Sequence, residues 1–219
     1  MTWIKQMKNK LSLSLVLISC TFLISACAPL MLGGMAGTVV VATDRRTSGI
    51  QLEDEEIELR ASARIRDTFG NKVHINVNSF NLQVLLTGEV PSDRDRLAVL
   101  KIVSEVENVR KVLNEVAIGP NSSYGDRTHD ILLSSKVKAG IIDARDLMVN
   151  TFKIVAEHGN IYLMGRVTPN EANRATEIAR NVSGVNQVVR VFQLLTEEEL
   201  RALNPPAATV TQTGATQGK

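Results

Sequence analysis

The chain has 219 residues, 44% of them hydrophobic, and carries 25 lysines and arginines against 23 aspartates and glutamates. That length allows one or two small domains with their own cores. A net charge of only +2 argues against a protein that grips nucleic acid by broad electrostatics. Cys20 and Cys27 are the only cysteines, so everything after them lacks a disulfide and a thiolate metal site.

Lys5, Lys8 and Lys10 precede an apolar run from Leu11 to Ile24, followed by Ser25, Ala26 and Cys27. A run of 14 residues is too short to cross a hydrocarbon core of ~30 Å, so residues 1–26 read as a secretory signal peptide. The ending Ile24-Ser25-Ala26-Cys27 resembles a bacterial lipobox, in which the cysteine is acylated and becomes the first mature residue. Cys27 is therefore the expected lipidation site; Cys20 is a weaker match after a shorter apolar run. Ala28 stands where enteric lipoproteins retained at the inner membrane carry aspartate, which points to the outer membrane, facing the periplasm. Without the three signal lysines, 22 basic residues face 23 acidic ones, a net charge of −1.

Residues 27–51 are expected to form a lipidated tether rich in Gly, Ala and Val. From residue 52 onward the chain repeats itself. Val84-Leu85-Leu86-Thr87-Gly88-Glu89-Val90 falls on Ile161-Tyr162-Leu163-Met164-Gly165-Arg166-Val167, 77 positions on. A duplicated unit of about 60 residues implies tandem modules, over residues 52–118 and 131–195 with a linker at 119–130.

Each module reads helix, strand, strand, helix, strand. In the first, Ile57, Ala61 and Ile65 are spaced for one helix face, with Asp54 or Glu55 placing negative charge at its N-terminus. Val73-Ile75-Val77 and Val84-Leu86-Gly88-Val90 alternate with period two, joined in a hairpin through Ser79-Phe80-Asn81. The second module repeats this with Phe152 and Ile154, a turn at His158-Gly159-Asn160, and Ile161-Leu163-Gly165-Val167.

Ser92 with Asp95, and Thr168-Pro169 with Glu171, are capping boxes that open the second helices. Val99, Ile102, Val103 and Val106 match Ala175, Ile178, Ala179 and Val182 at helical spacing. Helix stops are expected at Asn108 and Gly184, and Gly88 and Gly165 are expected to allow close helix-to-strand packing. A right-handed crossover makes the last strand of each module parallel to its second. The expected fold is α+β: two αββαβ modules, each a three-stranded mixed sheet packed against two helices. Residues 196–219 read as a short helix, Thr196 to Leu203, and a disordered tail after Asn204-Pro205-Pro206.

This pattern resembles the BON domain, and the resemblance rests on Leu-Leu-Thr-Gly-Glu-Val, Leu-Met-Gly-Arg-Val, the Thr-Pro-Asn-Glu helix start and Val182-Ser183-Gly184-Val185. With a lipobox and two such modules, it implies a non-enzymatic outer-membrane lipoprotein that binds anionic phospholipid and supports envelope integrity, cell division and the stress response.

A helical wheel gives that implication a location. Leu133, Val137 and Ile141 define the core side of the first helix of module 2; Lys138, Ile142 and Arg145 fall opposite, with Leu132 and Lys136 at the edge. In the family the Leu132 position often carries an aromatic membrane contact. An exposed isoleucine flanked by cations suits an anionic membrane surface; ordinary solvated lysines on an amphipathic helix are the plainer alternative. Module 1 begins its helix Glu53-Asp54-Glu55-Glu56, which anionic headgroups would repel.

Enzymatic motifs do not emerge. His74, His129 and His158 show no metal-ligand spacing, and there is no phosphate loop or nucleophile with an evident base. No metal, cofactor or nucleic-acid partner is expected. A competing function is an envelope-protein adaptor using the sheet face not covered by helices, which carries Leu85, Tyr162 and Met164; packing of the modules on each other would use the same face.

Overall fold

A computed structural model describes residues 44–203 of the protein. The signal peptide, Cys27, most of the tether and the tail from residue 204 lie outside the described residues. Module 1 comprises α1 (Ser48–Phe69), β1 (His74–Phe80), β2 (Gln83–Val90), α2 (Asp93–Ser104), β3 (Lys111–Asn114) and β4 (Ala117–Ile118). Module 2 comprises α3 (Tyr124–Ala144), a 3₁₀ turn (Val149–Thr151), β5 (Phe152–Glu157), β6 (Asn160–Val167), α4 (Pro169–Arg180) and β7 (Gln187–Leu194), followed by α5 (Glu197–Leu203).

The αββαβ order is as expected, and so are the strand directions. β1 and β2 pair antiparallel, as do β5 and β6. β3 and β4 are two pieces of one interrupted strand: both run parallel to β2, and the break at Glu115 and Val116 is bridged by the Glu115 amide donating to Leu86 O at 2.9 Å. β7 pairs parallel with β6 without interruption. Each sheet has helices over one face. Ile57, Ala61, Ile65, Leu86, Val99 and Val103 fill the core of module 1; Leu133, Val137, Ile141, Leu163, Ala175 and Ala179 fill that of module 2.

Both first helices start earlier than periodicity suggests. α1 begins at Ser48, with Thr47 Oγ1 accepting from the Ile50 amide, so residues 48–51 belong to the fold rather than to a tether. Asp54 is thus a turn inside the helix and buried at 2% exposure. Its carboxylate accepts from Ser79 Oγ (2.6 Å), the Asn81 amide (2.7 Å) and the Leu82 amide (2.8 Å), and pairs with Arg46 Nη1 (2.8 Å). The hairpin turn it caps is Asn81-Leu82, both at positive φ (52° and 66°), the geometry of a tight two-residue connection. In module 2 the Asp130 carboxylate accepts from the His158 and Gly159 amides, each at 2.9 Å, beneath a turn with φ 52° and 75°.

Of the predicted capping boxes, Thr168 and Glu171 form both reciprocal bonds. At Ser92 the hydroxyl accepts from the Asp95 amide, but Asp95 turns back to that hydroxyl at 2.5 Å instead of to the Ser92 amide. α2 and α4 end at Ser104 and Arg180; Asn108 (φ 65°) and Gly184 (φ 99°) sit in the loops beyond. The glycines on β2 and β6 face the backbone of a neighbouring strand and of the 3₁₀ turn, not the packed α-helices. A Cβ on Gly88 would lie 2.1 Å from His74 O, and one on Gly165 would lie 2.7 Å from Thr151 O.

The sheet faces without helices pack against each other. Phe80 and Leu85 of module 1 meet Tyr162, Met164 and Val191 of module 2 in a shared apolar layer, with Leu85 fully buried. Burial pushes the Tyr162 phenol up to about 12, aided by the charges of Glu115 and Glu157. Polar contacts rim this layer: Asn81 Nδ2 donates to Gln193 Oε1 at 2.5 Å, and Lys153 pairs with Glu58. Arg45, at 5% exposure, reaches Glu171 with two bonds of 2.8 and 2.7 Å and also donates to Arg166 O at 2.8 Å. The end of the expected tether is therefore a strap from module 1 to the first turn of α4.

Candidate functional site: the outer surface of α3

α3 starts at Tyr124 rather than at residue 131, because Ser123 and Asp126 form a capping box that periodicity did not reveal. Ser123 Oγ accepts from the Asp126 amide at 3.2 Å, and Asp126 Oδ2 accepts from the Ser123 amide at 3.1 Å. The Ser123 hydroxyl, which donates to Asp126 Oδ2 at 2.7 Å, and the Ser123 amide hold the Asp126 carboxyl below its ordinary value. Residues 124–130 of the region expected to be a linker are consequently the first two turns of a 21-residue helix. Leu133, Val137 and Ile141 are buried on its inner side, as expected.

Outside, the helix exposes Tyr124 (88%), Ile131 (65%), Leu132 (57%) and Ile142 (53%). At 100° and 1.5 Å per residue, Tyr124, Ile131 and Ile142 fall within about 20° of one line that runs for about 27 Å. Lys138 lies on the flank of that line, one turn before Ile142. Leu132 and Lys136 lie on the other flank, roughly 100° round the helix, so the predicted residues form two adjacent strips. Arg145 is the helix C-cap in the left-handed conformation (φ 59°, ψ −13°), and its wheel position does not apply; the residue is nevertheless exposed beside the last turn.

Lys136, Lys138 and Arg145 are all exposed, and their side chains form no hydrogen bond or ion pair among the described residues. Arg127 differs: its guanidinium lies 5.7 Å from the Tyr124 ring and donates to Ser122 Oγ at 3.1 Å. From Tyr124 to Arg145 there are four cations and three carboxylates, of which Asp130 is committed to the hairpin. α1 carries six carboxylates against three arginines. It also exposes Leu52 (58%) and Leu59 (70%), so the difference between the two copies is one of charge more than of apolar surface.

Tyr124 and Ile131 are the residues that the sequence reading missed. The signal available was Ser123 with a carboxylate three residues on, a capping box written with aspartate.

A BON-domain family model matches residues 53–120 and 129–196. The chain belongs to the BON-domain family. It is 32% identical over 182 residues to the outer membrane lipoprotein DolP of Haemophilus influenzae, covering 82% of this chain and 94% of that one. It is 29% identical over 151 residues to a 21 kDa hemolysin of Actinobacillus pleuropneumoniae, covering 68% of this chain and 78% of the other. Among solved structures, the C-terminal domain of CdsD, a structural protein of the Chlamydia trachomatis type III secretion system, aligns over 67% of this chain and 98% of its own at 13% identity, with a TM-score of 0.27. That likeness is too weak to carry an inference. No described helix is long and apolar enough to cross a membrane.

Proposed function

We propose that this two-module BON protein is a non-enzymatic lipoprotein of the outer membrane, acylated at Cys27, facing the periplasm, and that it binds anionic phospholipid through α3 to support envelope integrity and cell division. The observation that carries the lipid reading is the exposed line Tyr124, Ile131 and Ile142 with the unpaired cations Lys138 and Arg145 beside it, and Lys136 with Leu132 on the adjacent strip. Similarity to an outer membrane lipoprotein supports the location.

Magnitudes suit a tethered domain. Three cations contribute ~1 kcal/mol each near an anionic surface, and partial burial of two or three apolar side chains adds about 1 kcal/mol apiece, a fraction of the ~1.5 to 3 kcal/mol of full burial. An acyl anchor raises the local concentration enough for such weak docking to matter.

The adaptor reading loses its main surface, because Leu85, Tyr162 and Met164 cover one another between the sheets. Flotation of the unacylated Cys27→Ser chain tests the lipid reading. The chain is expected to rise with phosphatidylglycerol vesicles and not with phosphatidylcholine vesicles, and Ile131→Glu or Ile142→Glu should cut the bound fraction at least fivefold. Flotation that survives both substitutions would remove α3 from the reading.

A further inference from the structure

We propose that His74, Glu89, Glu157 and His158 form a binding site for a divalent transition-metal ion of the zinc class, which staples the two modules together. Nothing in the linear spacing of these residues suggests it. The β1–β2 register sets His74 opposite Glu89, while Glu157 ends β5 and His158 occupies the following turn. Packing of the sheets brings the two pairs together. One donor atom each from His74, Glu89 and Glu157 lies within 4.8 Å of the others, and His158 Nε2 is in ion-pair contact with Glu89 Oε1.

The second observation is a buried carboxylate oxygen that an imidazole nitrogen touches without a hydrogen bond. Glu89 is 2% exposed, and its Oε2 is satisfied by the Ser122 amide (3.0 Å) and His74 Nδ1 (2.9 Å). Its Oε1 is buried without a hydrogen-bond partner, since His158 Nε2 approaches it outside hydrogen-bonding geometry. Glu157 is buried too, at 4%, and no lysine or arginine forms an ion pair with either carboxylate among the described residues. Buried carboxylates need positive charge beside them, which His74 and His158 supply to Glu89 only when protonated; a divalent cation would supply it with both imidazoles neutral.

The donor set identifies the class of cation. Three of the donors converge, and with His158 drawn in from its contact with Glu89 two imidazoles and two carboxylates would match tetrahedral zinc, with bonds of about 2.0–2.2 Å. Calcium and magnesium would demand six or more oxygens, or near-ideal octahedral oxygen geometry. Outer contacts of the kind that orient metal ligands are present: Asn76 Nδ2 donates to Glu157 Oε2 at 2.7 Å, and Ser122 Oγ lies 3.2 Å from His74 Nδ1. Ligands drawn from both modules make the ion a cross-link as well as a counter-charge.

Titration of the EDTA-stripped full-length chain in detergent with Co²⁺, followed by its visible ligand-field absorption, tests the site. One equivalent should bind with tetrahedral intensity, Zn²⁺ should displace it, a hundredfold excess of Mg²⁺ should not, and Zn²⁺ should raise the Tm. His158→Gln, on a side chain 43% exposed, and Glu157→Gln should each weaken binding at least tenfold, while His129→Gln should not. The metal-free Tm of each variant checks its folding. No stoichiometric binding below about 100 μM, or binding that resists both substitutions or depends on His129, would overturn the proposal.

Discussion

Asp54 and Asp130 hold equivalent places in the two modules: each is buried within a first helix and uses its carboxylate to accept the amides of a two-residue hairpin turn. The pairing ties helix to hairpin before any apolar contact is counted. Replacing Asp54 by alanine strands two amides and Ser79 Oγ, while Arg46 keeps its second carboxylate, Asp44, at 2.6 Å, so unfolding in urea should lose about 3 kcal/mol; Asp130→Ala, which strands two amides only, should lose about 2 kcal/mol. A loss below 0.5 kcal/mol at either would show that water takes over the cap.

Arg45→Ala removes a buried partner of Glu171 and should cost about 2 to 3 kcal/mol, less than a fully orphaned buried charge, because the Thr168 amide still donates to Glu171 at 2.9 Å. Hydrogen exchange should quicken in the first turn of α4 and in residues 44–47 while the core of β2 stays protected. Uniform acceleration would instead mean that the strap is part of global stability.

Acid should weaken the same contact. Burial pushes the Glu171 carboxyl up, but hydrogen bonds from Arg45 and the Thr168 amide, with the Arg45 charge, outweigh it and hold the group below 4.5. A depressed folded value means that the stabilisation is complete above the unfolded value and disappears as pH falls through the folded one. The Tm should therefore fall below about pH 4.5, and Glu171→Gln should flatten that part of the profile. An unchanged slope in the variant would assign the acid sensitivity elsewhere.

Gly88→Ala should be the more damaging of two matched substitutions. Its Cβ would sit 2.1 Å from His74 O at φ 109°, against 2.7 Å from Thr151 O for Gly165→Ala. Losses of about 3 and 2 kcal/mol are expected, because fixed backbone rather than a mobile side chain must give way. Thermal unfolding of the two variants should show that order.

Local signals carried most of the fold. Period-two strands, helix cores at Val99 and Ala175, and the Thr168 capping box are written within windows of a few residues, where spacing alone decides which face is buried. The starts of α1 and α3 were harder to see, because polar turns such as Ser48 to Gln51 and Tyr124 to Arg127 have no apolar rhythm of their own. The strap at Arg45 and the convergence of His74 with His158 depend on contacts across more than 80 residues, which no local pattern announces. At the candidate lipid surface, Lys138 and Ile142 are exposed as the wheel suggested, Leu132 and Lys136 are exposed although it put them at the edge, and Arg145 is exposed but lies beyond the wheel as the helix C-cap.

The strap also has a consequence in time. Arg45 and Glu171 are 126 residues apart, and chains are synthesised at about 5–20 residues per second, so the arginine precedes its partner by ~6–25 s. Phe80 and Leu85 likewise precede Tyr162, the first buried residue of module 2 in their shared layer, by about 80 positions, so for ~4–16 s of synthesis the apolar back of the first module has nothing to cover it. A chain that stalls or is cut within the second module would present that surface permanently, to chaperones and proteases or to another truncated copy.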